Sequence, residues 1–240
     1  MDEAQLHKLA GERGFRLVSA RKLKEPLAQL AAALRHNRID AVIDVGANIG
    51  QYATALREQG WPGPIVSFEP GEAAHAALSA AAATDPAWRV APRMALAATD
   101  GTALLHLSAE SDMSSLLAQT ERLRALSPTS RVMAEATVAT ARLDGLDIVV
   151  GQPWRRLFLK IDVQGAEPAV LAGAERLWPR VAGVQLELSL MQLYEDEKPW
   201  RVLLDEVCGR GFSPHLWIPG YFSRQLARQL QVDVVLFRDD

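Results

Sequence analysis

Two carboxylates, each closing a short apolar run, are the chemistry-bearing feature of this chain. The first lies in Ala41-Val-Ile-Asp44-Val, which continues into Gly46-Ala-Asn48-Ile-Gly50. The second is Glu69 of Ser67-Phe-Glu69-Pro70, nineteen residues beyond Gly50. Runs such as Ala41–Val45 and Pro64–Phe68 read as buried parallel strands. Gly46 and Gly50 permit a tight turn and a close backbone approach that a Cβ would block. Strand, glycine turn, helix and a second strand tipped by an acid make a nucleoside site, because the acid accepts hydrogen bonds from both ribose hydroxyls.

A third acid extends the set. The run Leu157-Phe-Leu-Lys160-Ile161 ends in Asp162-Val-Gln164-Gly165-Ala166-Glu167. Ligands of doubly wound sheets lie over the carboxyl ends of the strands, so Asp162 is expected to face the same crevice as Asp44 and Glu69. Glu167 has two readings, a helix-start acid favoured by the dipole and a member of the site.

The turn also selects among nucleosides. A dinucleotide fingerprint is G-x-G-x-x-G, with a pyrophosphate at the helix N-terminus. Here the turn is G-A-N-I-G, without the central glycine, and Asp44 immediately precedes it. A carboxylate there repels a pyrophosphate and attracts a cation. S-adenosylmethionine fits, with its sulfonium and ammonium charges, and D-x-G-x-N-x-G resembles the first motif of class I methyltransferases that use it. A turn that merely joins a strand to a helix is the plain alternative, and Asp44, Asn48 and the spaced Glu69 weigh against it.

Composition narrows the setting. The chain has 240 residues, nearly half of them apolar, and a formal net charge of −3. There is no basic block to suggest nucleic acid as a partner and no apolar run near the ~20 residues of a membrane span. The start, Met1-Asp-Glu-Ala-Gln, is unlike a signal peptide. One cysteine, Cys208, excludes an internal disulfide and fits a reducing cytoplasm; at helical spacing it reads as a buried thiol. The scattered histidines make no metal spacing, and Asp162, Glu187 and Glu195 are too dispersed to imply a cation site, so no metal is expected. A homo-oligomer is left open.

The acids need elements to position them. Residues 1–38 read as helical, with Pro26 in a first turn and Leu27, Leu30, Ala31 and Leu34 on one face. From residue 39 onward strand-like and helix-like segments alternate, the pattern of a doubly wound, mostly parallel α/β sheet. Expected strands are Ala41–Val45, Ile65–Phe68, Trp88–Ala91, Leu157–Ile161 and Val184–Leu188, with Ser213–Trp217 and Val232–Phe237 as an antiparallel terminal hairpin. These make seven. Expected helices are Gln51–Gln59, Glu72–Ala83, Pro168–Leu177 and Trp200–Arg210. About 98–150 is a β insertion with extra strands at Thr102–Ser108 and Glu135–Ala141. The reading is one domain, 39–240, on which the N-terminal segment packs.

With these residues in view the chain resembles the FkbM family of S-adenosylmethionine-dependent methyltransferases. The matching segments are D-V-G-A-N-I-G-Q-Y (Asp44–Tyr52), S-F-E-P (Ser67–Pro70), M-A-L-A (Met94–Ala97), S-S-L (Ser114–Leu116), L-K-I-D-V-Q-G-A-E (Leu159–Glu167), L-E-L (Leu186–Leu188) and G-Y (Gly220–Tyr221). They run in the family's order over roughly 40–237. The resemblance implies that Asp44 and Gly46 hold the methionine end of the cofactor while Asn48 and Gly50 shape the turn. It implies Glu69 on the ribose, Pro70 and Ala95 beside the adenine, and Asp162 near the methyl group. Ser115 is either a cofactor contact or an ordinary turn residue.

Methyl transfer to a hydroxyl needs alignment and a base to take the proton. Asp162 and Glu187 are the catalytic candidates, with Glu195 and His215 weaker ones. Tyr194 and Trp200 are candidates for acceptor contact. The expected activity is O-methylation of a small molecule or glycan, the oxygen resting on the resemblance alone. A nicotinamide-dependent oxidoreductase is disfavoured by the missing glycine and the absence of a Tyr-x-x-x-Lys pair after the fourth strand. A non-catalytic cofactor-binding domain is weakly disfavoured by the intact acids.

Overall fold

The computed structural model describes residues 25–239; the part of the expected N-terminal helical segment before residue 25 lies outside them. Helix α1 (Pro26–His36) starts on its proline and buries Ala28, Leu30, Ala31 and Leu34. The strands are β1 (Ala41–Val45), β2 (Ile65–Phe68), β3 (Trp88–Val90), β4 (Ala95–Leu96), β5 (Gly101–Ser108), β6 (Val132–Ala141), β7 (Leu157–Ile161), β8 (Val181–Ser189), β9 (Phe212–Pro219), β10 (Phe222–Ser223), β11 (Arg228–Gln229) and β12 (Gln231–Arg238). The remaining helices are α2 (Gln51–Glu58), α3 (Glu72–Ala82), α4 (Glu121–Leu126), α5 (Asp147–Val150), α6 (Glu167–Gly173) and α7 (Trp200–Cys208).

The main sheet has seven strands in the order β3-β2-β1-β7-β8-β12-β9. From β3 to β8 neighbours are parallel, and β12 runs antiparallel to both β8 and β9. The order reverses between β1 and β7. That switch point is where a doubly wound sheet opens a crevice. One face packs Val42 and Phe158 under Leu30, Leu56 and Leu78 of α1, α2 and α3. The other packs Ile43, Leu159 and Leu186 under Val149, Val170 and Leu203 of α5, α6 and α7. No helix of the described residues is long and apolar enough to cross a membrane.

The insertion forms its own three-stranded sheet, β4-β6-β5. Its strand β4 is only two residues long, too short for an alternating pattern to announce it.

The expected helix 168–177 divides, α6 ending at Gly173 and a 3-10 segment running from Glu175 to Arg180. The Arg176 N–H donates to the Asp144 carboxylate at 3.0 Å, so it is withheld from a helical ladder. Arg142 forks onto the same carboxylate at 2.8 and 3.0 Å, tying the end of the insertion to α6. Burial opposes the Asp144 charge, but Arg142 and Arg176 outweigh it and lower the pKa to about 2. Because the folded-state value is depressed, this contribution is present above about 3.8 and lost as pH falls toward about 2. Asp144→Asn is expected to lower stability at neutral pH by about 1–2 kcal/mol, the scale of hydrogen bonds to a charge that solvent partly screens. Urea titrations across pH check this. A gap between variant and wild type that stays constant down to acid pH contradicts it.

Candidate cofactor and acceptor site

The loops that follow β1 and β7 touch at the switch point. Gly46 has φ +73°, and a Cβ there would lie 1.8 Å from the Asp162 carbonyl oxygen. The Gly46 and Ala47 N–H groups both donate to the Phe68 carbonyl, at 3.1 and 3.0 Å, bringing the end of β2 against the turn. Asn48 is left-handed, φ +48°. Its N–H donates to Glu69 Oε2 at 2.8 Å and the Gly71 N–H to Oε1 at 2.7 Å, so backbone donors orient both carboxylate oxygens. Burial pushes the Glu69 pKa up against the pull of those bonds.

These groups line a cleft open to solvent, about 640 Å³ of empty space with its mouth included. Gly46 and Asn48 come from the first turn, Glu69 and Pro70 from the second, Ala95 from β4, Ser115 from the insertion and Asp162 from the end of β7. A second cleft of about 730 Å³ shares Gln51, Asp112, Asp162 and Gln164 with it. Glu110, Met113, Ser127, Glu187, Tyr221 and Gln231 complete that lining. Asp162 therefore stands at the junction.

Asp44 and Gly50 are placed behind this surface. The Asp44 side chain has no exposed area, and Lys160 Nζ lies 3.2 Å from its Oδ1. Lys160 balances its charge from within the sheet and Asp44 lines neither cleft, whereas direct contact with a cationic ligand was expected of it. Gly50 begins α2 at φ +90°, and a Cβ would sit 2.7 Å from the Trp88 ring, which is why glycine stands there. Ser115 lines the cleft but is 2% exposed, and its hydroxyl donates to the Gln164 carbonyl at 2.7 Å, stapling the insertion to the loop after β7.

The weaker candidates fall elsewhere. Glu195 is exposed, and His215 packs edge-on against Phe237. Trp200 packs on the main core. Tyr194 is fully buried and lines neither cleft. Glu167 accepts from the Val163 and Gly165 N–H groups, and burial raises its pKa to about 8; it braces the loop that carries Asp162.

Beneath the clefts runs a buried polar row. Trp88 Nε1 donates to Ser67 Oγ (2.9 Å), Ser67 to Asp44 Oδ2 (3.0 Å), and Lys160 Nζ to the Gly46 carbonyl (2.9 Å). Lys160 Nζ is also 3.5 Å from Asp162 Oδ2, and Tyr52 bonds Gln185 at 3.1 Å. Ser67, Asp44, Lys160 and Gln185 are register partners on β2, β1, β7 and β8. Burial works against the Lys160 charge, but Asp44 and Asp162 together hold its pKa above the usual lysine value. Burial and the charges of Asp44 and Asp233 raise the Tyr52 pKa.

Sequence reasoning gave no role to Lys160, Gln164, Gln231 or Asp233. A lysine inside an apolar strand was the available signal for Lys160. Gln231 and Asp233 carried none, because only the sheet order brings β12 beside β8.

The turn and cleft fit an adenosyl cofactor. Each Glu69 oxygen holds one backbone donor and keeps a lone pair for a ribose hydroxyl, and Asn48 Oδ1 is buried without a partner. A family profile described as the methyltransferase FkbM domain matches residues 44–214. No curated protein matches the chain. Among solved structures, an rRNA methylase from Streptococcus thermophilus superposes with a TM-score of 0.48 at 13% identity, over 91% of this chain and 99% of that one. A ribosomal protein L11 methylase from Lactobacillus delbrueckii subsp. bulgaricus gives 0.44 at 11% identity, over 89% and 78%.

Removing one member of the buried ion pair strands the other. Lys160→Met is expected to cost about 3–5 kcal/mol, and Asp44→Asn combined with it to recover part of that loss. Denaturant titrations of the two single variants and the double variant measure the coupling. Strict additivity would show that the two charges do not depend on each other.

Proposed function

This chain belongs to the FkbM methyltransferase family and takes S-adenosylmethionine as cofactor, and from that premise we propose that it methylates a hydroxyl oxygen of a small molecule or glycan. The cofactor supplies a methyl group on a sulfonium, and the residues described here do the rest. Gly46 lets the backbone approach, Glu69 and Asn48 Oδ1 take the ribose end, and Pro70 and Ala95 flank the base.

The observation that carries the reading is the lining of the second cleft. It presents four carboxylates, Glu110, Asp112, Asp162 and Glu187, beside hydroxyls and amides, and among the described residues no lysine or arginine lines it. Such a surface repels phosphorylated or nucleic-acid acceptors and offers hydrogen bonds to a neutral polyol. Asp162 lines both clefts, and we assign it the proton of the acceptor hydroxyl. Burial, then the charges of Asp162, Asp233 and Glu167, push the Glu187 pKa well above the ordinary range, and its Oε2 accepts from the Gln164 and Gln231 amides beside Asp162. The single cysteine supports a reducing, cytoplasmic setting.

Calorimetric titration with S-adenosylhomocysteine, with NAD and NADP alongside, tests the cofactor half. Asn48→Gly keeps the left-handed turn and removes Oδ1, and should weaken binding by about tenfold, one hydrogen bond's worth. Radiolabelled methyl transfer into neutral hydroxylated acceptors, with RNA as the comparison, tests the other half. Nicotinamide binding, or transfer into RNA alone, would overturn the reading.

A further inference from the structure

Gln164 sits two residues beyond Asp162 in the loop after β7, at φ +56°, 5% exposed. Its side-chain amide spends all four of its hydrogen-bonding valences. Nε2 donates to Asp162 Oδ1 at 3.0 Å and to Glu187 Oε2 at 2.6 Å. Oε1 accepts from the Tyr194 hydroxyl at 2.9 Å and from Gln231 Nε2 at 3.1 Å. The partners fix the amide's orientation, since Asp162 and Glu187 both present acceptors to Nε2, while the single Tyr194 hydroxyl proton is shared between Gln164 Oε1 and the Met113 carbonyl at 3.2 Å. Gln231 Nε2 makes a further bond to Glu187 Oε2 at 2.7 Å. The backbone carbonyl of Gln164 meanwhile takes the Ser115 hydroxyl. One residue thus joins the insertion, the loop after β8 and the terminal strand β12 to two of the acids of the acceptor cleft, Asp162 and Glu187.

We propose that Gln164 is the positioning residue of the acceptor half: its amide holds the Asp162 and Glu187 carboxylates in one orientation where the two clefts meet, and makes that orientation depend on the Tyr194 loop. The consequence for methyl transfer rests on the function proposed above; the coupling itself stands on the hydrogen bonds. An amide suits the task because it donates to two acids at once without adding a charge. A glutamate would crowd a third carboxylate against them, and a methionine would fill the same space with no donor. The charged or titratable groups facing Glu187 are Asp162 and Lys160 of the β7 end, Asp233 of β12, Glu167 of α6 and Tyr194.

The test uses the full chain labelled with ¹³C at its Asp and Glu side-chain carboxyls, titrated with pH by NMR, with and without S-adenosylhomocysteine. Asp162→Asn and Glu187→Gln identify the two signals. In Gln164→Glu the Glu187 midpoint should rise by about one pH unit or more, the effect of a like charge in contact. In Gln164→Met, folded and of similar volume, both carboxyl signals should lose their wild-type chemical shifts, and the Glu187 midpoint should rise as its donor is lost. Wild-type curves in both variants would overturn the proposal, and wild-type curves in Gln164→Met alone would reduce Gln164 to packing. Failure of the wild type to bind S-adenosylhomocysteine would instead count against the methyltransferase reading, and the carboxyl curves would still decide the role of the amide.

Discussion

Taking the Lys160 ammonium and the Asp44 carboxylate out of water costs several kcal/mol per ion, and only close geometry with further hydrogen bonds repays it. Here the repayment is spatial as well as energetic. Lys160 reaches the Gly46 carbonyl, Asp44 Oδ1 and the edge of Asp162, while Ser67 and, through it, Trp88 complete the other side of Asp44. The pair therefore ties the glycine turn of β1 to the end of β7 and to β2. A buried pair of this kind is weak evidence for stability, but it admits few arrangements of the loops above it. The turn that must pass within touching distance of a ligand is held from below.

The rest of the site is assembled from segments far apart in the chain. The turns after β1 and β2 shape the cofactor half, and the ends of β7, β8 and β12 bring the acids and amides of the acceptor half. The insertion closes over the junction through Ser115, and Tyr194 comes down from the loop after β8 with Leu123 and Leu193 packed around it. Because these parts meet at Gln164, movement of the roof and orientation of the acids are not independent.

Strands β1, β2 and β7 were legible residue for residue, since each is a continuous apolar run with both faces covered. The acids at their ends were legible as a set because a doubly wound sheet brings strand ends together. Which way each acid faces was not. Asp44 looked like a ligand contact, and only the register that puts Lys160 beside it shows that its charge is already matched. The break after α6 was hidden for the same reason, as it depends on Asp144 claiming the Arg176 amide from 32 residues away. Gln164 was read as part of a motif, and three of its four amide partners lie 23, 30 and 67 residues further along the chain.

Five carboxyl groups, Asp162, Glu187, Glu167, Asp233 and Asp112, gather around the acceptor half, and the Lys160 ammonium faces Asp162, Glu187 and Asp233. Neutralising them with arginines would have stabilised the charges and emptied the cleft of its negative potential. Amides and backbone N–H groups hold them instead. Gln164 and Gln231 bind Glu187, Gln185 binds Asp233, and the loop N–H groups bind Glu167. Neutral donors satisfy the oxygens without cancelling the charge, so burial and neighbouring carboxylates still lift the pKa of Asp233 to about 6 and of Glu167 to about 8. Protons then reside on acids near neutral pH, where small changes in a neighbour move them. On the O-methylation proposed above, that balance suits a surface that takes a proton from a hydroxyl and leaves the oxygen hydrogen-bonded.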